Sequence, residues 1–100
     1  MDSKTRRQLR QIAHHLHPVV IVGDGGVSET LIAETQRALN DHELIKVRIH
    51  SESREDRADM SQALAQACEA EIIQRIGKVI VLFKPNTRPK AHLSNLIRYA

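Results

Sequence analysis

Apolar residues near the start of the chain recur at helical intervals. Leu9, Ile12, Ala13 and Leu16 fall at i, i+3, i+4 and i+7, which places them on one stripe of a helix. The spacing predicts a helix from Ser3 to about Leu16, with Ser3 as N-cap and Pro18 as its stop. Arg7, Arg10 and His14 lie on the face opposite the stripe. The next segment, Val19–Val22, is an unbroken β-branched run, the pattern of a buried strand. A glycine-rich loop follows, Gly23-Asp24-Gly25-Gly26. Ser28 then caps a second helix reaching about Asn40, whose inner face carries Leu31, Ile32, Thr35, Ala38 and Leu39.

The period changes to two from Leu44 to His50. Ile45, Val47 and Ile49 point one way, and Lys46, Arg48 and His50 the other, as in a half-buried strand. Ser53-Arg54-Glu55-Asp56 is a capping box with Asp in place of Glu. It opens a third helix with Met60, Ala63, Leu64, Ala67 and Cys68 as its stripe. Glu71–Ile76 and Val79–Phe83 read as two strands joined by a two-residue turn at Gly77-Lys78. Pro85 and Pro89 end regular structure, leaving a basic C-terminal tail, 86–100, with a weak helix over His92–Tyr99.

The order is therefore α-β-α-β-α-β-β. Two strand–helix–strand units make right-handed crossovers, and the last strand joins antiparallel. With Lys46 and Arg48 on an open sheet face, the expected architecture is an α/β two-layer fold on a four-stranded mixed sheet. Residues 1–85 form a single domain.

Composition narrows the chemistry. Phe83 and Tyr99 are the only aromatics apart from histidine in 100 residues, so no platform of stacked rings is available for single-stranded nucleic acid. RNA binding by such a chain rests on phosphates, backbone amides and shape. Net charge is +3, and its distribution is uneven. Residues 1–23 carry +3, residues 24–45 carry −4 and residues 77–100 carry +5. If the two basic ends meet, they make one cationic face. Cys68 is the single cysteine, which excludes an internal disulfide and fits a reducing cytoplasm. No apolar stretch resembles a signal peptide or a membrane span. A cytoplasmic monomer without membrane association is expected.

The glycine loop is the most informative feature. Gly23, Gly25 and Gly26 let backbone amides gather without side chains in the way. The helix start after Ser28 adds unpaired N–H groups and a positive dipole end. Together they suit a phosphate, although glycines in a strand-to-helix turn also serve turn geometry alone. Asp24 within the loop opposes an anion. The basic side chains of the first helix, Lys4, Arg7, Arg10 and His14, form a second candidate, with a solvated helix face as the plainer reading. Lys46 and Arg48 extend the cationic surface.

Other chemistries lack their residues. The loop has no Lys-Ser/Thr as in a P-loop and no third glycine near Val27–Glu29 for a dinucleotide fold. It follows a strand, whereas the Gly-x-x-Gly loop of a KH domain joins two helices. His14 and His15 diverge by about 100° on a helix and His17 abuts Pro18, so no metal pair forms. One of the pair is expected against the sheet edge and the other at the RNA face. No nucleophile elbow or confined carboxylate pair is present, and Cys68 on an inner helix face is a small hydrophobe. No catalytic residue, cofactor or metal site is expected.

Several blocks together resemble one family. They are Ser3-Lys4-x-x-Arg7-x-Leu9-Arg10, Ala13-His14-x-Leu16-x-Pro18-Val19-Val20, Val22-Gly23-x-x-Gly26-Val27-Ser28-Glu29, Asp41-His42-Glu43-Leu44-Ile45-Lys46-Val47 and Ile76-Gly77-Lys78-Val79-Ile80-Val81-Leu82-Phe83-Lys84-Pro85. In order and spacing they resemble the CRM domain (chloroplast RNA splicing and ribosome maturation), specifically the free-standing bacterial YhbY-like proteins. The resemblance covers about residues 3–85. It implies a fold similar to the C-terminal domain of bacterial translation initiation factor three. It also implies RNA binding and association with precursors of the large ribosomal subunit. The implied RNA surface is the Gly-x-x-Gly loop, here Gly23 to Gly26, with the basic residues of the first helix. Asp24 and Gly25 depart from the family pattern and shift weight onto Arg7 and Arg10. A protein-interaction adaptor using the acidic 24–45 segment is the alternative.

Overall fold

The first helix is capped one residue before the expected position. The computed structural model describes residues 1–99, and in it the Asp2 carboxylate accepts a hydrogen bond from the Thr5 N–H at 2.8 Å. Hydrogen bonding from Thr5, its side chain first and then its N–H, lowers the Asp2 carboxyl from the usual carboxylate range. Asp2 therefore caps α1, Ser3–Ala13, where Ser3 was expected to. The helix also ends three residues early, because His14 and His15 close a tight turn onto Arg10 and Ile12 before Pro18 opens β1, Pro18–Val22. Ser28 caps α2, Glu29–His42, as its position predicted, by accepting from the Leu31 N–H at 3.1 Å. Then come β2, Leu44–Ile49, and α3, Arg54–Cys68, the latter capped by Ser53. β3, Glu71–Ile76, and β4, Val79–Phe83, form the predicted hairpin, and Gly77 takes the positive φ of 56° that its turn requires.

The four strands lie in the order β1-β2-β4-β3. β1 pairs with β2 in parallel, and β4 pairs antiparallel with both β2 and β3. The mixed α/β architecture and its element order agree with the sequence pattern. One face of the sheet, carrying Val20, Val22, Ile45, Val47, Ile49, Ile80 and Leu82, packs against Leu31 and Leu39 of α2 and Leu64, Ala65 and Cys68 of α3. Thr35 is fully buried there, its hydroxyl satisfied by the Leu31 carbonyl at 2.8 Å. Burial also pushes the Cys68 thiol pKa up.

The layering is not simply two-fold. Leu44, Ile73 and Val81 on the second face pack under Leu9 and Ala13 of α1, with Ile12, Leu16, Phe83 and Leu96 at the margin. α1 thus forms a partial third layer over half of that face. β1 is correspondingly not a buried strand. It is a sheet edge, and Val19 and Ile21 remain 52% and 56% exposed. The α3 stripe is rotated from the expected one. Ser61 and Ala65 face inward, whereas Ala63 and Ala67 face solvent. Ser61 is tolerated inside because its hydroxyl donates to the Arg57 carbonyl at 2.6 Å.

Residues 86–99 pack on the same body. Glu43, 3% exposed and at φ 63°, anchors them. Its carboxyl accepts from the Asn86 N–H at 2.8 Å and from the Ser94 hydroxyl at 2.7 Å. Asn95 opens the short helix α4, Asn95–Arg98, and donates to the Leu44 carbonyl at 2.7 Å. Lys90 pairs with Asp41 and, through that hydrogen bond first, lowers the Asp41 pKa.

Candidate nucleic-acid interface

The part of the second sheet face that α1 leaves open has a definite register. Ile21, Arg48, Val79 and Ile76 sit opposite one another across β1, β2, β4 and β3. Lys46 occupies the row next to it, opposite Val81, and is half-buried where Arg48 is exposed. The open area is therefore an aliphatic row with a guanidinium in it and an ammonium beside it.

α1 borders this area with one flank. At about 100° per residue, Arg6, Arg10 and His14 share one side of the helix, and Gln8, Ile12 and His15 the other. The second side faces the C-terminal segment. His15 stacks on Tyr99 with ring centroids 5.3 Å apart and planes 6° from parallel, and Gln8, Gln11 and Ile12 line the same cleft. α4 meets the sheet at Leu44, at the start of β2. The flank bearing Arg10 and His14 is the one turned away from that segment. Neither His14 nor His15 packs against the sheet edge as expected, and both are exposed.

The basic residues of α1 divide into two kinds. Arg7 and Lys4 are exposed, and Arg10 is half-buried. Arg6, which sequence reasoning did not single out, is structural. Its guanidinium donates to the Ile72 and Ile73 carbonyls at 3.2 Å each and lies 3.6 Å from the Glu71 carboxylate. Arg6 thus pins the start of α1 to β3, at the sheet edge farthest from β1. Lys4 and the glycine loop accordingly sit on opposite edges, about 14 Å apart across the sheet at normal strand spacing. Spacing alone separates the two, since Arg6 falls at i, i+3 and i+7 with Leu9 and Ala13 on the flank of the apolar stripe while Arg7 lies opposite it, but the strand carbonyls that Arg6 meets are visible only in the fold.

The glycine loop leaves the end of β1 beside the Ile21–Arg48 row. Gly26 donates to the Gly23 carbonyl at 3.0 Å, and Ser28 to the Gly26 carbonyl at 3.1 Å. Neither bond uses the amides of Asp24, Gly25 or Val27, and Gly23, Asp24 and Gly25 are exposed. Only Gly26 is demanded by the backbone, at φ 66°. A Cβ on Gly23 or Gly25 would meet nothing within 4 Å, so the fold has no need of glycine at either position. Gly26→Val should cost about 1–2 kcal/mol in urea unfolding, from the left-handed backbone. Gly25→Ala should be neutral or slightly stabilising. An equal loss in both would show that Gly25 also carries a structural constraint.

No group of three or more His, Cys, Asp or Glu that could hold a metal ion occurs among the described residues. The acidic 24–45 segment is partly consumed within the chain, since Glu43 is buried and Asp41 is paired with Lys90. No helix among the described residues is long and apolar enough to cross a membrane.

Comparison with known proteins agrees with this architecture. The family model of the CRS1/YhbY (CRM) domain matches residues 1–84. A Pseudomonas aeruginosa protein named a probable RNA-binding protein is 39% identical over 100 residues, covering 100% of this chain and 96% of that protein. An RNA-binding protein of Haemophilus influenzae is 38% identical over 93 residues, covering 93% of this chain and 94% of its own length. The solution structure of a Staphylococcus aureus protein proposed to bind RNA superposes with a TM-score of 0.77 at 30% identity, covering 94% of this chain and 97% of that one.

Proposed function

Because this chain belongs to the CRS1/YhbY (CRM) domain family, we propose that it is a non-catalytic RNA-binding protein that associates with precursors of the large ribosomal subunit in the bacterial cytoplasm. The observation that carries the reading is the glycine loop. Gly23 and Gly25 are exposed glycines that the fold does not require, beside amides that the turn does not use. Glycine costs about 0.5–1 kcal/mol where another residue would fit. A phosphate approaching the backbone gives that cost a purpose. Arg7, Arg10, Lys46 and Arg48 then supply charge, with His14 beside Arg10 as a hydrogen-bonding ring, and Lys4 extends the charge at the far edge. Positioning by phosphates and recognition by shape are the modes open to a chain so poor in aromatic rings.

The test is binding of the purified protein to a structured large-subunit ribosomal RNA fragment across a salt series. Log affinity should fall steeply with log salt, by about one unit of slope per phosphate neutralised. Salt-insensitive or absent binding would overturn the reading of the basic face. The ribosomal part is checked separately, by co-sedimentation with precursor particles in a cell extract. A protein that stays at the top of the gradient in low salt would argue against it.

A further inference from the structure

A second feature lies at the same end of the sheet, on the helical side. A cavity of about 350 Å³ opens between α3 and the β3–β4 turn. Ile49 and Ile80, almost fully buried in the core, close it at its depth, and Arg54, Arg57, Arg75 and Lys78 line it with Ala58, Ser61 and Gly77. No carboxylate lines it. Glu55 and Asp56, in the first turn of α3, are exposed and lie outside it.

Four cations around one apolar hollow repel one another unless an anion sits among them. Their present partners are few. Arg57 donates to the Ser51 carbonyl at 2.7 Å, which fixes the guanidinium while leaving most of its five donors unused. Lys78 meets Glu52 at 2.5 Å, on a carboxylate that is 91% exposed. An entering phosphate can take that lysine over while Glu52 returns to water. Arg54 and Arg75 have no ion pair among the described residues.

The cavity is also well placed. Ile49 pairs with Val22, the residue before the glycine loop, and the Ile49 N–H donates to the Lys78 carbonyl at 2.7 Å. Loop and cavity therefore share one end of the sheet, about 10 Å apart at normal strand spacing.

The geometry points to a nucleotide-phosphate subsite in this cavity, with a phosphate held by Arg54, Arg57, Arg75 and Lys78. The volume suits one nucleotide, and planar guanidinium forks suit phosphate oxygens. The inference rests on the RNA-binding reading for the source of that nucleotide, which is a strand passing from the glycine loop over the β3–β4 turn.

The experiment uses Arg54→Gln with Arg75→Gln, both exposed and unpaired, so the melting temperature should stay within a few degrees of the parent. In the RNA arm, affinity should fall about tenfold and the salt slope should become shallower by about one to two units. In the second arm, uridine 5′-monophosphate should shift the amide resonances of Ala58, Gly77 and Lys78 in the parent and not in the variant. Parent-like RNA affinity and slope in the double variant would overturn the subsite. If the parent itself binds no RNA, the reading of function fails first. Nucleotide-induced shifts at Gly77 and Lys78 would then keep the cavity as a site for free nucleotide, and their absence would remove it.

Discussion

Replacing Arg7 and Arg10 together with glutamate lowers affinity for a structured ribosomal RNA fragment by more than tenfold. Each arginine that contacts phosphate supplies a charge-assisted hydrogen bond worth about 1.5–3 kcal/mol, and reversal adds repulsion to the loss. The two side chains differ in setting, since Arg7 is exposed and Arg10 is half-buried. Neither makes an ion pair or a side-chain hydrogen bond among the described residues, so the melting temperature should move by only a few degrees. The comparison variant is Arg6→Gln, which removes the tie between α1 and β3 and should act on stability before binding. Unchanged RNA affinity in the Arg7/Arg10 double variant would remove α1 from the RNA surface.

Glu43→Ala destabilises the protein by about 2–4 kcal/mol and frees the C-terminal segment. The substitution strips the acceptor from two groups at once, the Asn86 N–H and the Ser94 hydroxyl. Each buried donor left without a partner costs about 1–3 kcal/mol. For a domain of this length, that corresponds to a fall in melting temperature of at least about 8 °C. Detachment is read separately, as faster tryptic cleavage after Lys90. Glu43→Gln keeps a carbonyl acceptor and should lose less. Glu43→Gly relaxes the positive φ of 63° but leaves the segment unanchored, so its cleavage should resemble that of the alanine variant. Parent-like stability and cleavage in Glu43→Ala would show that the segment is held by Leu96 and Asn95 instead.

Much of the architecture was legible because local and long-range demands agreed. Ile45, Val47 and Ile49 alternate and are buried together. Ser28 stands where a cap belongs, and Gly77 stands where a turn needs positive φ. The misreadings arise where a residue type satisfies two environments. Alanine fits core and surface alike, so Ala63 and Ala67 completed a stripe that actually runs through Ser61 and Ala65. Val19 and Ile21 have the β-branched character of a buried strand but belong to an edge, and nothing local distinguishes the two. Glu43 gave no sign of its role, because its partners lie 43 and 51 residues away in sequence. The candidate interface was visible as residue types in a loop and on a helix. Its outline came only from the fold, which sets Arg48 between Ile21 and Val79 and ties Arg6 to β3.

The position of β4 bears on how the chain is made. β2 and β3 share no ladder, and both bond to the strand that leaves the ribosome last. A nascent chain that has emerged only as far as Ile76 can pair β1 with β2 and nothing more, and two strands alone are marginal in water. Closure of the sheet therefore waits for residues 79–83. Until then, the edge of β2 and the whole of β3 are exposed to other chains, so the sheet stays open through the synthesis of its first three strands.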